Sequence, residues 1–299
     1  MSEMLQNDVI EPAISPWESN VVLVRKSNGQ LRFCVDYRQL NLHTYKDFYP
    51  LPRIKTCLDS LGGSKFFSSL DLRSGYWQAA IDPWSADKTA FVTRRGTYKF
   101  KVLSFGLTNA PTLFQRLIDL ILAGLTWEVC LLYLDDVIVM ADTFEQHLER
   151  LELVMNRPQR AGLKLKPAKC KLFQLKTKLL GHIVSERGIK PDPEKVQAVV
   201  DWPTPRKLTE AMGFVAFARY YRRFVCSFAE SARPIHFLTR KNEPFIWGHA
   251  QQEALKHLKY CLVTAPVLSL PRNEGRHVLN SDASNDAWVW FFNKNRTAC

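Results

Sequence analysis

The sequence contains no apolar stretch long enough to span a bilayer. Its longest apolar region, residues 117–132, is broken by Asp119 and Glu128, short of the roughly 20 apolar residues a spanning helix needs. The amino end, MSEMLQNDVIEPAISPW, has no apolar core of the kind a secretory leader carries. Seven Cys are present, an odd number with no Cys-x-x-Cys pair, which argues against a disulfide framework. Cys34, Cys130 and Cys226 lie in apolar or aromatic surroundings and are expected to be buried thiols of a reducing compartment. His257 and Cys261 are four apart, a spacing two helix-borne zinc ligands can have, but a lone pair is weak evidence for a metal. Repeats and low-complexity segments are missing too. A soluble intracellular protein, cytoplasmic or nuclear, is the expectation. Acidic residues are comparatively scarce: 29 Asp and Glu face 41 Lys and Arg, a net charge of +12. That surplus favours an anionic partner, nucleic acid above all.

The composition is otherwise that of a globular protein, 46% hydrophobic and 23% charged over 299 residues. Residues 21–25 and 31–37 read as strands around Asn28-Gly29, a hairpin signal. Residues 66–72, 89–93 and 97–102 read as further strands, the last two flanking Arg94-Arg95-Gly96. Ala110, Leu113, Phe114, Leu117, Ile118, Ile121, Leu122 and Leu125 keep helical spacing, and Pro111 suits a first turn. Thr143 with Gln146 fits a capping box for a helix that sets Phe144, Leu148, Leu151 and Met155 on one face. Pro158 is expected to end or kink it. Short strands follow at 171–175 and 179–185, with a turn at Gly188. Helices are expected after Asp192-Pro193, over 208–228 and over 249–262, with a last strand at 277–281. The class is α+β.

One stretch stands out. In CLLYLDDVIVM, residues 130–140, two adjacent aspartates interrupt apolar strand sequence. Neighbouring carboxylates repel each other, and burial penalises both. Asp-Asp alone is usually a solvated turn; here the apolar flanks set it apart. Divalent cations offset such repulsion most simply. Mg²⁺ takes oxygen ligands and leaves part of its shell for water and phosphate. Two such ions about 4 Å apart can activate a hydroxyl and stabilise a leaving oxygen. A third carboxylate is then expected, and Asp71, closing the apolar strand FFSSLD, is the candidate.

These motifs resemble those of reverse transcriptases of gypsy-type long-terminal-repeat retroelements. YLDD at 133–136 resembles their YxDD box, and FSSLDLRSGYWQ at 67–78 their first catalytic motif. FGLTNAPTLFQRLID at 105–119 looks like the motif that follows. RFCVDYRQLN at 32–41 and LLGHIVSERGI at 179–189 match the fingers and primer-grip regions. PDPEKVQAVVDWPTP, YYRRF and APVLSLP resemble the thumb and connection. The motifs run in the family's order from about residue 5 to about residue 285.

The resemblance implies a right-hand polymerase: fingers and palm in 1–190, a helical thumb or connection in 191–265, and an RNase H beginning with a divergent tail in 266–299. It implies an RNA-directed DNA polymerase, also DNA-templated, that extends a primer with deoxynucleoside triphosphates. Its cofactor would be Mg²⁺, as two ions, with Mn²⁺ able to substitute. Asp71, Asp135 and Asp136 match the metal-binding carboxylates, and Leu72 would lend a backbone carbonyl. Tyr76 matches the aromatic residue that excludes a 2′-hydroxyl. Arg32 matches the arginine on the incoming triphosphate, and Lys26, or Arg25, the fingertip lysine. Phe105 matches the position near the nucleotide's 3′ side where many retroviral enzymes carry glutamine and gypsy-type enzymes carry Phe. Gln115 would face the template strand or simply be a polar residue on the helix's wet side. Either Arg222 or Arg223, not both, is expected to reach a template–primer phosphate.

The likeness also departs in places. HVLNSDAS at 277–284 looks like the first strand of an RNase H domain, with Asp282 matching its first metal carboxylate. NDAWVWFFNKNRTAC then leaves the family's pattern. The expectation is a vestigial, non-working RNase H, a disordered or sticky tail, and a chain that is a piece of a polyprotein. Ser104 stands where proline is common. Two outcomes stay open on the sequence: an active polymerase, or a catalytically dead remnant that at most binds nucleic acid.

Overall fold

The computed structural model describes residues 1–25, 29, 31–240 and 243–270, with the backbone of strands Val278–Ala283 and Trp288–Asn293. The chain forms two compact units: Met1–Arg53 with Phe66–Gln174, and Ile54–Lys65 with Leu175–Cys299.

The first unit is built on a four-stranded antiparallel sheet. Its spatial order is Cys130–Tyr133, Asp136–Ala141, Phe66–Asp71, Lys171–Gln174. The β-branched and aromatic runs of these strands suit a pleated, buried surface. Leu70, Leu132, Val137 and Val139 pack with Phe114, Ile118 and Leu122 of helix Ala110–Ile121 and with Leu151 and Val154 of helix Phe144–Arg160. A second core gathers Met4, Val9, Ile10, Val35, Tyr37, Phe91 and Phe100. It lies by the sheet Ile10–Pro12, Gly96–Phe100, Phe91–Thr93. The expected hairpin Val21–Arg25 and Leu31–Val35 pairs in register, Val24 opposite Arg32.

The Thr143 cap forms as the sequence predicts. Its hydroxyl accepts the Gln146 amide at 3.2 Å, and Gln146 Oε1 accepts the Asp142 amide at 3.2 Å. The buried face of that helix differs from expectation. His147, Leu151, Val154 and Pro158 are buried, whereas Phe144, Leu148 and Met155 are exposed. The 147-151-154-158 spacing is itself a helical stripe, so it takes the core and leaves 144-148-155 outside. Pro158 does not end the helix, which continues to Arg160.

In the second unit, strands Lys176–Leu179, His182–Ser185 and Gly188–Pro191 form an antiparallel meander. Helices Pro193–Val200, Leu208–Tyr220, Phe228–Phe237 and His249–Val263 follow. Asp192 accepts the Glu194 amide at 3.2 Å, capping the first of them before Pro193. The single helical stretch expected over 208–228 is broken. A 3-10 turn occupies Arg222–Phe224, and Ser227 takes the left-handed conformation, φ 47°. Residues 175–190, which the sequence groups with the palm, belong to this unit; among the described residues the meander pairs with itself and, through Ile189, with Leu268.

Cys57 and Cys130 are buried, Cys34 is half-buried, and Cys226, expected inside, is exposed. Residues 288–293, in the tail expected to be disordered or sticky, pair antiparallel with 278–283, Asp282 opposite Val289 in register. Among the described residues no helix is long and apolar enough to cross a membrane.

Candidate active site

Strand pairing brings the three acids together. Asp71, the last residue of its strand, is the register partner of Asp136, the first residue of the neighbouring strand. Such partners have Cβ atoms about 5 Å apart. Tyr133 pairs with Asp136, so only Leu134 and Asp135 make the intervening turn.

The electrostatics match crowded like charges. Desolvation, then Asp136, then Asp71 push the Asp135 carboxyl above the usual carboxylate range. Desolvation and then Asp71 do the same to Asp136, although its side chain still reaches solvent. Lys169, on the 3-10 turn Pro167–Lys169, opposes both shifts. Its Nζ donates to Asp71 Oδ2 at 3.0 Å. The backbone of Asp71 is fixed as well, its carbonyl accepting the Lys166 amide at 2.8 Å.

Asp135 Oδ1 is buried and has no hydrogen-bonding partner in the protein. A Cβ built on Gly75 would come within 2.8 Å of that oxygen and 3.0 Å of the Phe114 ring. An orphaned carboxylate oxygen beside two further carboxylates is a donor set that suits a hard divalent cation. As they stand, no three His, Cys, Asp or Glu side chains among the described residues are arranged to enclose one.

Tyr76 packs between Phe105, tilted against it, and Phe114, edge-on to it, at ring distances of 4.9 and 5.4 Å. Burial, and then the Asp135 charge, raise its hydroxyl. The Arg32 guanidinium lies 5.5 Å from the Phe105 ring centre. The sequence-predicted Arg32, Tyr76 and Phe105 are thus neighbours, with Asp135 close to Tyr76. The Leu72 side chain is buried, and its backbone bridges to Leu165. Lys26 lies outside the described residues; Arg25 is exposed at the end of its strand.

Gln115 is a correction. It is 0% exposed and cannot face a template strand; instead it reaches inward to the Leu134 amide and to Asp119. In the second unit, Arg223 is engaged by Asp59 at 3.2 Å, while Arg222 is exposed. Asp282 lies on the Val278–Ala283 strand, and its side chain is outside the described residues. His257 Nε2 and Cys261 Sγ stand 3.5 Å apart without a third ligand type beside them among the described residues.

Neither Lys169 nor the inward course of Gln115 was marked in the sequence. The one hint for Gly75 was its place within LDLRSGYWQ, four residues past Asp71.

The reverse transcriptase (RNA-dependent DNA polymerase) family matches residues 24–184. The retrovirus-related Pol polyprotein from transposon 412 of Drosophila melanogaster is 37% identical over 293 residues, 96% of this chain and 24% of that one. The corresponding polyprotein from transposon gypsy is 33% identical, covering 95% and 29%. The chain therefore spans about a quarter of the length of these relatives. Among solved structures, a foamy viral protease-reverse transcriptase in complex with double-stranded DNA matches with a TM-score of 0.86 at 24% identity, over 97% of this chain and 51% of that one. The same viral protein with an RNA/DNA hybrid matches with a TM-score of 0.81 at 23% identity, over 98% and 42%.

Proposed function

The chain belongs to the reverse transcriptase (RNA-dependent DNA polymerase) family and has its mixed right-hand polymerase fold, and from that premise we propose that it is an RNA-directed DNA polymerase that extends a primer with deoxynucleoside triphosphates. Template–primer nucleic acid, RNA/DNA or DNA/DNA, is the partner of this reading. The observation that carries it is the register that sets Asp71 against Asp136 beside the unpartnered Asp135 oxygen.

Asp71, Asp135 and Asp136 would hold Mg²⁺, with Mn²⁺ as substitute and the Leu72 carbonyl as a further oxygen. When bound there, the metal supplies activation of the primer hydroxyl and charge stabilisation at the leaving oxygen. The remaining work falls to side chains of this chain. Arg32 offers a charge to a triphosphate while its guanidinium rests on Phe105. Tyr76, braced by Phe105 and Phe114, presents a rigid surface against which a 2′-hydroxyl would clash. Lys169 donates to Asp71 and offsets part of the negative charge of the acidic group.

Primer extension on poly(rA)/oligo(dT) tests the reading. Incorporation is expected with Mg²⁺ or Mn²⁺ and should drop by at least ~100-fold in Asp135→Asn, which keeps the shape but removes the charge. Template binding without incorporation by the unmutated protein would leave only the remnant.

A further inference from the structure

We propose that Gln115 is a positioning residue that clamps the turn carrying Asp135. Its kinetic consequence rests on the polymerase reading above; its structural one rests on geometry alone. Gln115 lies within the Ala110–Ile121 helix and is fully buried. Its Oε1 accepts the Leu134 amide at 2.6 Å, and its Nε2 donates to Asp119 Oδ2 at 3.2 Å. The two partners fix the amide's orientation. A flipped side chain would set NH₂ against a backbone N–H and oxygen against a carboxylate.

The turn needs such a hold. Leu134 has φ 52°, the left-handed region that favours glycine or asparagine. Two-residue hairpin turns of this kind normally recruit Asn-Gly or a glycine; Leu134-Asp135 offers neither. The turn's own residues therefore do not select its shape, and the bond from Gln115 does. Asp135 is the next residue, and its Oδ1 lies so close to Gly75 that a Cβ there would come within 2.8 Å of it.

The clamp continues outward. Tyr49 donates its hydroxyl to Asp119 Oδ2 at 2.8 Å, which raises the Tyr49 hydroxyl. Arg116 lies 5.1 Å over the Tyr49 ring and donates to Asp47 at 2.9 Å. The acidic turn is thus tied through Gln115 and Asp119 to the 47–49 segment of the same unit.

Gln115→Met keeps the bulk and removes the acceptor. Hydrogen exchange of the Leu134 amide should accelerate at least tenfold. The kcat for incorporation should fall roughly 10- to 100-fold, the scale of a 1 Å misplacement, with nucleotide KM and template–primer Kd within about twofold. The exchanged pair Gln115→Glu with Asp119→Asn restores one acceptor toward Leu134 and one donor beside it, and should recover most protection and most kcat. Tyr49→Phe should cost less than Gln115→Met. Unchanged Leu134 protection in Gln115→Met, or a loss confined to Kd, overturns the proposal. Should Gln115→Met not fold, failure of the exchanged pair to protect Leu134 does so. If the unmutated protein incorporates nothing, the polymerase reading fails, while the exchange measurement still decides the clamp.

Discussion

At Gly75 a single hydrogen occupies the space between the Asp135 carboxyl and the Phe114 ring. The residue has no left-handed backbone to explain it, so room alone excludes a side chain. Phe114 is fully buried and cannot retreat without disturbing its core. Gly75→Ala should therefore move Asp135, lowering incorporation at least ~10-fold and stability by about 1–3 kcal/mol, the usual range for overpacking. Wild-type incorporation in a folded Gly75→Ala protein would show that the contact is slack. The three acids were legible in the sequence because a carboxylate inside an apolar strand is costly and so conspicuous. Gly75, Gln115 and Lys169 were not, because their roles come from chain segments brought together by the fold. Lys169 meets Asp71 across 98 residues, and Gln115 meets Leu134 across 19. A glutamine on a helix gives no clue in sequence whether it points outward or in. Only the packing of the Ala110–Ile121 helix against the Cys130–Tyr133 strand turned this one inward.

At the scale of elements, strands and caps followed local rules, and the errors came where two periodicities competed. In helix Phe144–Arg160 both 144-148-155 and 147-151-154-158 satisfy helical spacing, and His147 hid the true stripe because it reads as polar. It is buried because its Nε2 meets the Ser68 hydroxyl at 2.7 Å. The Lys176–Pro191 meander is tied in the same non-local way. Tyr221 donates to the Gly181 carbonyl at 2.9 Å and Tyr220 to the Leu180 carbonyl at 2.6 Å. Burial first, then the neighbouring Tyr220 and Asp192, push the Tyr221 hydroxyl up to about 12, so it stays a donor at working pH. Gly181 has φ 68°, and a Cβ there would lie 2.7 Å from the Tyr221 oxygen. Gly181→Ala should combine a left-handed penalty of about 1–2 kcal/mol with crowding against an anchored hydroxyl. A loss of about 2–4 kcal/mol in urea unfolding is expected; an unchanged midpoint would show that the turn relaxes freely.

For the whole molecule, the sequence pointed to nucleic acid through its net charge, but it could not say where that charge resides. The unit boundaries were equally illegible, because residues 54–65 leave their sequence neighbours and join the meander and helices. Once the units are known, the asymmetry is plain. The second holds 21 Lys and Arg against 12 Asp and Glu, a surplus of +9; the first holds 20 against 17, a surplus of +3. Most of the excess therefore belongs to the second unit, whereas the acidic triad belongs to the first. If the second unit grips phosphates, the logarithm of template–primer affinity should fall linearly with the logarithm of salt, each phosphate neutralised contributing a slope of about 0.9 on duplex. Arg222 and Arg223 then separate. Arg222 is exposed, so Arg222→Gln should lower the slope by about one contact while leaving stability nearly unchanged. Arg223 is held by Asp59, so Arg223→Gln should leave the slope alone and cost at most about 1 kcal/mol of stability, as for other partly exposed ion pairs. Equal slopes for all three proteins, measured by fluorescence anisotropy between about 50 and 200 mM salt, would remove the aromatic-basic turn at Arg222–Phe224 from the nucleic-acid surface.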